Sequence, residues 1–275
     1  MKLPAGQVAV RAAGIAVLAG SIAGCGGQTR QPLPTATSPV LGGRRVRTDQ
    51  DLFVRKTVTI GYSVDRRPIR AVFVGDPDVR HPILVVGCIH GNEPAGIAVA
   101  KRLILRPSQA EPEPALWVVP VLNPDGLAAQ TRQNARGVDL NRNFPTGWRP
   151  LHQPGDTYYQ GPQPLSEPES QAISRLILKI RPAISIWFHQ HQDLVDLSGG
   201  NPRIERRFAH MTRLPVHRLN RYPGSAATWE NHADPRGTAF VVELPPGKLS
   251  AGATARFAHT ILTLAHTVQR SDLPN

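Results

Sequence analysis

The stretch from Ile83 to Ile104 constrains this 275-residue chain more than any other. Ile83, Leu84, Val85 and Val86 run into Gly87, Cys88 and Ile89, which predicts a buried strand ending at His90. Ala95 opens an apolar-periodic run through Ile97, Val99, Ala100, Leu103 and Ile104, which predicts a helix. Between them, Glu93 follows His90 by three residues across Gly91 and Asn92. A strand end, a Gly-containing turn and a helix start therefore hold an imidazole and a carboxylate within one turn of each other. Open α/β folds place their sites at such strand ends. The pair is a zinc-ligand combination, but a catalytic zinc needs a third protein ligand and an open position. His-x-x-Glu alone is common by chance, so the remaining parts must come from elsewhere in the chain.

The N-terminus reads as separate from the folded part. Lys2 and Arg11 precede an apolar, small-residue run from Ala12 to Gly24, the pattern of a signal-peptide core and too short for a comfortable membrane span. It closes in Ile22-Ala23-Gly24-Cys25, which resembles the bacterial lipobox, where the cysteine carries lipid and becomes the mature N-terminus. The expectation is a lipoprotein leader over 1–24 and a Gly/Pro/Thr/Arg-rich tether over 25–50 beginning at lipidated Cys25. A domain over 51–275 would follow, anchored to the membrane without spanning it. Cys88 would then be the one remaining thiol, buried in a strand. Loss of the leader lowers the formal charge from +12 to +10, because Lys2 and Arg11 leave with no acid. The basic residues are scattered, with no aromatic-basic alternation and no helix-turn-helix pattern, so nucleic acid is not the expected partner. An anionic envelope polymer or acidic peptide fits an exported chain better.

Further along, strands are predicted at Thr57–Ile60, Ile69–Val74, Leu116–Leu122, Ala183–Phe188 and Ala239–Leu244. Asn123-Pro124-Asp125-Gly126 reads as a turn, and residues 127–165 as a long polar segment of the kind that is usually functional. Ser166-Glu167-Pro168-Glu169 predicts a helix start with Ser166 as N-cap, running to Ile180. Helices are also expected over Arg203–Leu214 and Ser250–Val268. Alternating strands and helices predict a single α/β domain, with a mixed, mostly parallel sheet and helices on both faces.

Unusual polar residues collect at the predicted strand ends: His90 and Glu93, Asn123 to Gly126, His189, and Glu243. The polar segment adds Arg132-Gln133-Asn134-Ala135-Arg136-Gly137-Val138-Asp139-Leu140-Asn141-Arg142-Asn143. This set resembles the metallocarboxypeptidase family of zinc exopeptidases. That family shares a His-x-x-Glu…His zinc site, a Gly-Val-Asp-x-Asn-Arg-Asn segment and a late catalytic glutamate. The matching motifs run in family order from about Gly61 to Gly247.

The resemblance implies one zinc ion (Zn2+) per chain, with His90, Glu93 and His189 as ligands. His191 rivals His189, because strand alternation puts both on one face. Glu243 matches the general base, and Asp139 the acceptor for the non-ligating nitrogen of His90. Asn141 and Arg142 match the clamp for a substrate carboxylate, which a planar guanidinium holds bidentately. Arg132 matches the arginine at the scissile carbonyl, with Arg136 as its rival. Tyr222 is the nearest counterpart of the family's mobile tyrosine, but Pro223 restricts its backbone. Tyr222-Pro223-Gly224-Ser225 with Trp229, Gly161-Pro162 and Ser166-Glu167-Pro168 resemble the bacterial branch, which includes murein peptide amidases. The implied activity is an extracytoplasmic zinc peptidase acting on a muropeptide or on a peptide C-terminus. Competing readings are a deacylase of the succinylglutamate desuccinylase and aspartoacylase type, sharing His-Gly-x-Glu and Asp-x-Asn-Arg, and a catalytically idle wall-binding lipoprotein.

Overall fold

The computed structural model describes residues 53–108, 113–220 and 222–271. The expected leader and tether, Cys25 included, lie outside those residues. No described helix is long and apolar enough to cross a membrane.

The centre of the fold is a block of short strands with almost no polar residues. β3 (Ile83–Val86) and β4 (Leu116–Val119) pair in parallel, and β3 also pairs in parallel with β5 (Ile184–Gln190). β5 in turn runs parallel to β8 (Thr238–Leu244). Strands buried on both faces read as continuous apolar runs, which is why Ile-Leu-Val-Val shows no alternation in hydrophobicity. The alternation survives in geometry. Ile83 and Val85 face one core while Leu84 and Val86 face the other, and Ile186 and Phe188 likewise oppose Trp187.

Each face has its own helical cover. Over one lie α1 (Gly96–Leu105), α4 (Pro202–Thr212) and α6 (Ala251–Ser271), contributing Val99, Leu103, Phe208, Phe257 and Ile261. Over the other lie α3 (Pro168–Ile180) and α5 (Ala226–Ala233), with Ile173, Leu176, Ile177 and Trp229. Antiparallel pairing flanks the parallel centre. β1 (Val54–Tyr62) and β2 (Pro68–Gly75) add to β4, and β6 (Leu194–Asp196) pairs antiparallel with β8 before β7 (Val216–His217) ends the sheet. The order is β1-β2-β4-β3-β5-β8-β6-β7. This is the expected mixed α/β sheet with helices on both faces.

Several local expectations need correction. β3 stops at Val86, not Ile89, because past Gly87 the chain turns from ladder pairing to isolated bonds such as Leu122 N to Cys88 O (2.8 Å). β4 likewise ends at Val119, since Pro120 has no N–H to continue it. Asn123 to Gly126 is not a turn between strands but the start of α2 (Pro124–Ala129), where Asn123 Oδ1 accepts from Gly126 N (2.8 Å). Ser166 does not cap α3. Glu167 takes the cap position, and Ser166 Oγ instead donates to Glu167 Oε1 (2.8 Å).

The long polar segment is largely buried around residues 138–144, which include Val138, Leu140 and Phe144. Its amides stand in for ladder bonds. Asn134 Oδ1 accepts from the N–H groups of Arg136 and Val138, and Asn143 Nδ2 donates to the carbonyls of Gln160 and Gln163.

Candidate active site

The parallel strands deliver their C-terminal ends to one side of the sheet, and the chemistry gathers there. Past β3, Gly87 N still bonds Val119 O (2.9 Å), carrying the chain forward to His90. Glu93 N closes the turn on His90 O (3.0 Å). β5 locks this turn in place: Gln190 N donates to Glu93 Oε2 (3.2 Å), and Ala95 N donates to Gln190 Oε1 (2.9 Å). Gly91 lies directly on Gly126, so any side chain there would strike the α2 backbone.

Three ligand atoms converge. Glu93 Oε2 is 3.0 Å from both His90 Nδ1 and His189 Nδ1, and the two Nδ1 atoms are 3.2 Å apart. All three residues are buried, and among the described residues they form the one His/Cys/Asp/Glu group with metal-binding geometry. Asp139 Oδ1 sits 3.0 Å from His90 Nε2, so a proton held there leaves Nδ1 as a lone pair toward the centre. Asp139 is itself fixed by Asn141 N (2.9 Å) in the 3-10 turn Leu140–Arg142. The two imidazole Nδ1 atoms, facing each other beside a carboxylate, form a donor set that a cation between them would satisfy. The N/N/O donor set is the kind that holds zinc with a position left open. The residues fit the metal.

Charge compensation around this group is dense. Burial by itself would raise the Glu93 carboxyl, but His90 and His189 hold it far below the usual carboxylate range. Asp139 is held low in the same way, by His90, Arg132 and Arg142 against its burial. His90, whose burial would lower it, is raised by Glu93 and Asp139. Arg132 bridges the two carboxylates, with Nη1 on Glu93 Oε1 and Nε on Asp139 Oδ2, each at 2.9 Å.

Glu243 stands directly across the ladder from His189. Its Oε2 is buried with no hydrogen-bond partner, a costly state for a carboxylate oxygen unless a reacting group meets it. Arg142 lines the same cavity and is 9 % exposed, and the one described hydrogen bond of its side chain runs from Nη1 to Asn141 O (2.7 Å). Burial draws this guanidinium below its ordinary value although Asp139 opposes the shift. It lies over the Tyr222 ring (4.4 Å) and beside that of Tyr158 (5.6 Å), while Arg132 stacks on Tyr158 from its own side (5.3 Å). Gly224, at φ +76°, lies against the Arg142 backbone, where no side chain would fit. Asn141 is placed differently from Arg142. Its Oδ1 accepts from Ala226 N (2.9 Å) at the start of α5, and its Nδ2 lies 3.5 Å from His189 Nε2.

Glu93, Arg132, Arg142, His189, Tyr222 and Glu243 open on one cavity of about 660 Å³. His191 lines its rim, exposed and outside the ligand group, because β5 ends at Gln190 and alternation no longer applies. Arg136 is turned away, exposed and 3.5 Å from Glu167. Tyr158, in the same cavity, was missed by sequence reasoning. An aromatic in a loop without periodicity carries no signal of what it stacks on.

A sequence model of the zinc carboxypeptidase family matches residues 48–205. Murein peptide amidase A of Escherichia coli (strain K12) is 30% identical over 224 residues, covering 74% of this chain and 86% of that protein. Carboxypeptidase SOL1 of Arabidopsis thaliana is 29% identical over 150 residues, which are 50% of this chain and 29% of that one. The crystal structure of murein-tripeptide amidase MpaA from Escherichia coli O157 matches with a TM-score of 0.61 at 25% identity, covering 83% of this chain and 98% of that chain. Carboxypeptidase A from Helicoverpa armigera shares the fold at a TM-score of 0.66 and 19% identity, over 81% and 70% of the two chains. With a zinc-compatible His-Glu-His group and this kinship, the chain is a zinc metallopeptidase and belongs to the zinc carboxypeptidase family.

Proposed function

We propose that this chain hydrolyses the amide bond next to a free carboxylate in peptidoglycan stem peptides, of the γ-D-glutamyl–meso-diaminopimelate type. The observation that carries the reading is the convergence of His90, Glu93 and His189 beside an unpartnered Glu243 oxygen and a buried, under-bonded Arg142. Its likeness to murein peptide amidase A supports the substrate class.

In this reading His90, Glu93 and His189 hold zinc, which supplies Lewis acidity that polarises a carbonyl and acidifies water. Glu243 takes a proton from the attacking water and passes it to the leaving amine. Asp139 keeps the His90 proton on Nε2. Arg132, anchored by Glu93 and Asp139, adds positive charge beside the scissile carbonyl, where an oxyanion develops. Arg142 binds the substrate carboxylate with its free donors, backed by Tyr222 and Tyr158. Asn141 sets the wall between His189 and α5 and contributes its amide to the same subsite. The leader pattern and Cys25 support export and anchoring by lipid, with the cavity facing the wall or periplasm.

Product analysis by mass tests the substrate. Zinc-loaded protein is offered L-Ala-γ-D-Glu-meso-diaminopimelate and an ordinary C-terminal peptide side by side, with chelated protein as the blank. Release of free diaminopimelate is the expected result. Cleavage of the ordinary peptide alone would remove the murein assignment while keeping the peptidase.

A further inference from the structure

On the face covered by α3 and α5, the cover is incomplete toward the β1 edge. Register places Lys56 opposite Phe73, and Phe73 opposite Trp117, so the three form one cross-strand row over β1, β2 and β4. The Phe73 and Trp117 rings are 5.4 Å apart. Alternation along β1 puts Val58 and Ile60 on the same face as Lys56. With Leu176 and Ile180 of α3, the apolar residues Val58, Ile60, Phe73 and Trp117 floor a groove of about 700 Å³, within the size range of ligand sites. No residue of this groove lines the metal-centre cavity.

The rim is entirely basic. Lys56, Arg80, Arg175 and Lys179 line the groove, and no acidic residue does. Arg175 and Lys179 are four residues apart on α3, so both project to the same side, where like charges repel. The described ion pairs engage Arg67, Arg106, Arg132, Arg136, Arg181 and Arg236, and none of these four. An apolar floor answers a hydrocarbon chain, and an uncompensated cationic rim answers an anionic headgroup.

We propose that this groove binds an anionic phospholipid, with an acyl chain along the Phe73–Trp117 floor and the phosphate among Lys56, Arg80, Arg175 and Lys179. The inference goes beyond the reaction proposed above and does not depend on it. Membrane contact would then involve the folded part of the chain as well as its N-terminus.

The test titrates the full chain with 1-palmitoyl-lysophosphatidylglycerol below its micelle concentration, with lysophosphatidylcholine as the zwitterionic comparison. Binding is read by native mass spectrometry and tryptophan emission. The expected result is one saturable adduct that prefers the anionic headgroup. The pair Arg175→Glu/Lys179→Glu weakens it by about tenfold or more. Lys56→Glu/Arg80→Glu, on other elements, does the same. Trp117→Phe keeps the adduct and loses most of the emission change. Unchanged circular dichroism and unfolding midpoint establish that each variant is folded. No adduct, non-saturating uptake, equal affinity for both headgroups, or indifference to both charge reversals would overturn the proposal. Occupation of the groove by the chain's own residues 1–52 would read as no adduct and overturn it equally.

Discussion

Glu93 and Glu230 are both buried carboxyls that touch β5, yet the protein holds them in opposite ways. Glu93 accepts from Gln190 N at the C-terminal end of the strand, surrounded by His90, His189 and Arg132. Glu230, on α5, meets β5 two turns of the pleat earlier, accepting from Ser185 Oγ and from Trp187 Nε1 (3.0 Å). Burial opposes ionisation at both. At Glu93 the imidazoles of His90 and His189 outweigh burial and the carboxyl is held far down; at Glu230 only hydroxyl and indole donors face it, and burial pushes it up to about 7. Ionisable partners, not neutral hydrogen-bond donors, decide which buried acid stays ionised. The catalytic end of the sheet is therefore a place of matched charge, and the supporting region behind it is not.

The largest test of this contrast is Glu93→Gln. Removing the charge while keeping the shape should abolish stoichiometric zinc and lower hydrolysis by more than ~100-fold, beyond the range for outer partners of a ligand. Metal analysis and initial rates read both, and retention of a full zinc complement would show that the Glu93 charge does not hold the metal. Asp139→Asn should be milder. His90 keeps its place but loses the anion behind Nε2, so zinc affinity in a chelator competition should fall ~10–100-fold. A loss as large as that of Glu93→Gln would mean Asp139 does more than orient His90.

Glu230→Gln sharpens the other side. A carboxyl raised in the folded state contributes stability that is full below about 4.5 and is lost as pH rises through about 7. Relative to Glu230→Gln, the parent should therefore lose stability between about pH 5 and 8. The loss is on the order of 3 kcal/mol, at ~1.4 kcal/mol per pK unit. Thermal unfolding across that window should give curves that diverge with rising pH, and parallel curves would show that Glu230 is not held protonated. The smallest effect concerns Cys88. Its thiol is pushed up to about 12, chiefly by burial and further by Glu93. Alkylation at about pH 8, mapped by mass, should leave Cys88 unmodified until the protein unfolds.

Some of this was readable from the chain alone. His90 and Glu93 announced themselves because an apolar run, a Gly turn and a helix start surround them. Asp139, Asn141 and Arg142 came with a recognisable segment, and their positions agree with the elements found around them. The central strands were legible because burial on both faces demands unbroken apolar runs. β6 and β7 were not, being three and two residues long and too short to show a period. α5 was missed because Ala226, Ala227 and Trp229 are too few for a helical stripe, and its role rests on contacts with Asn141 and β5. Glu230 looked like any helical glutamate; only tertiary packing shows that no cation reaches it. The choice between His189 and His191 likewise depended on where β5 stops, a boundary that propensity leaves loose.

In the proposed reaction Glu243 acts beside a zinc held independently of it. The most direct measurement is zinc content and hydrolysis on the same sample of Glu243→Gln. The prediction is one zinc per chain, an unchanged fold, and hydrolysis reduced by at least ~100-fold, within the ~10²–10⁴ that a positioned proton-transfer group contributes. Zinc retained with hydrolysis near the parent rate would contradict the assignment and move the catalytic base elsewhere in the cavity.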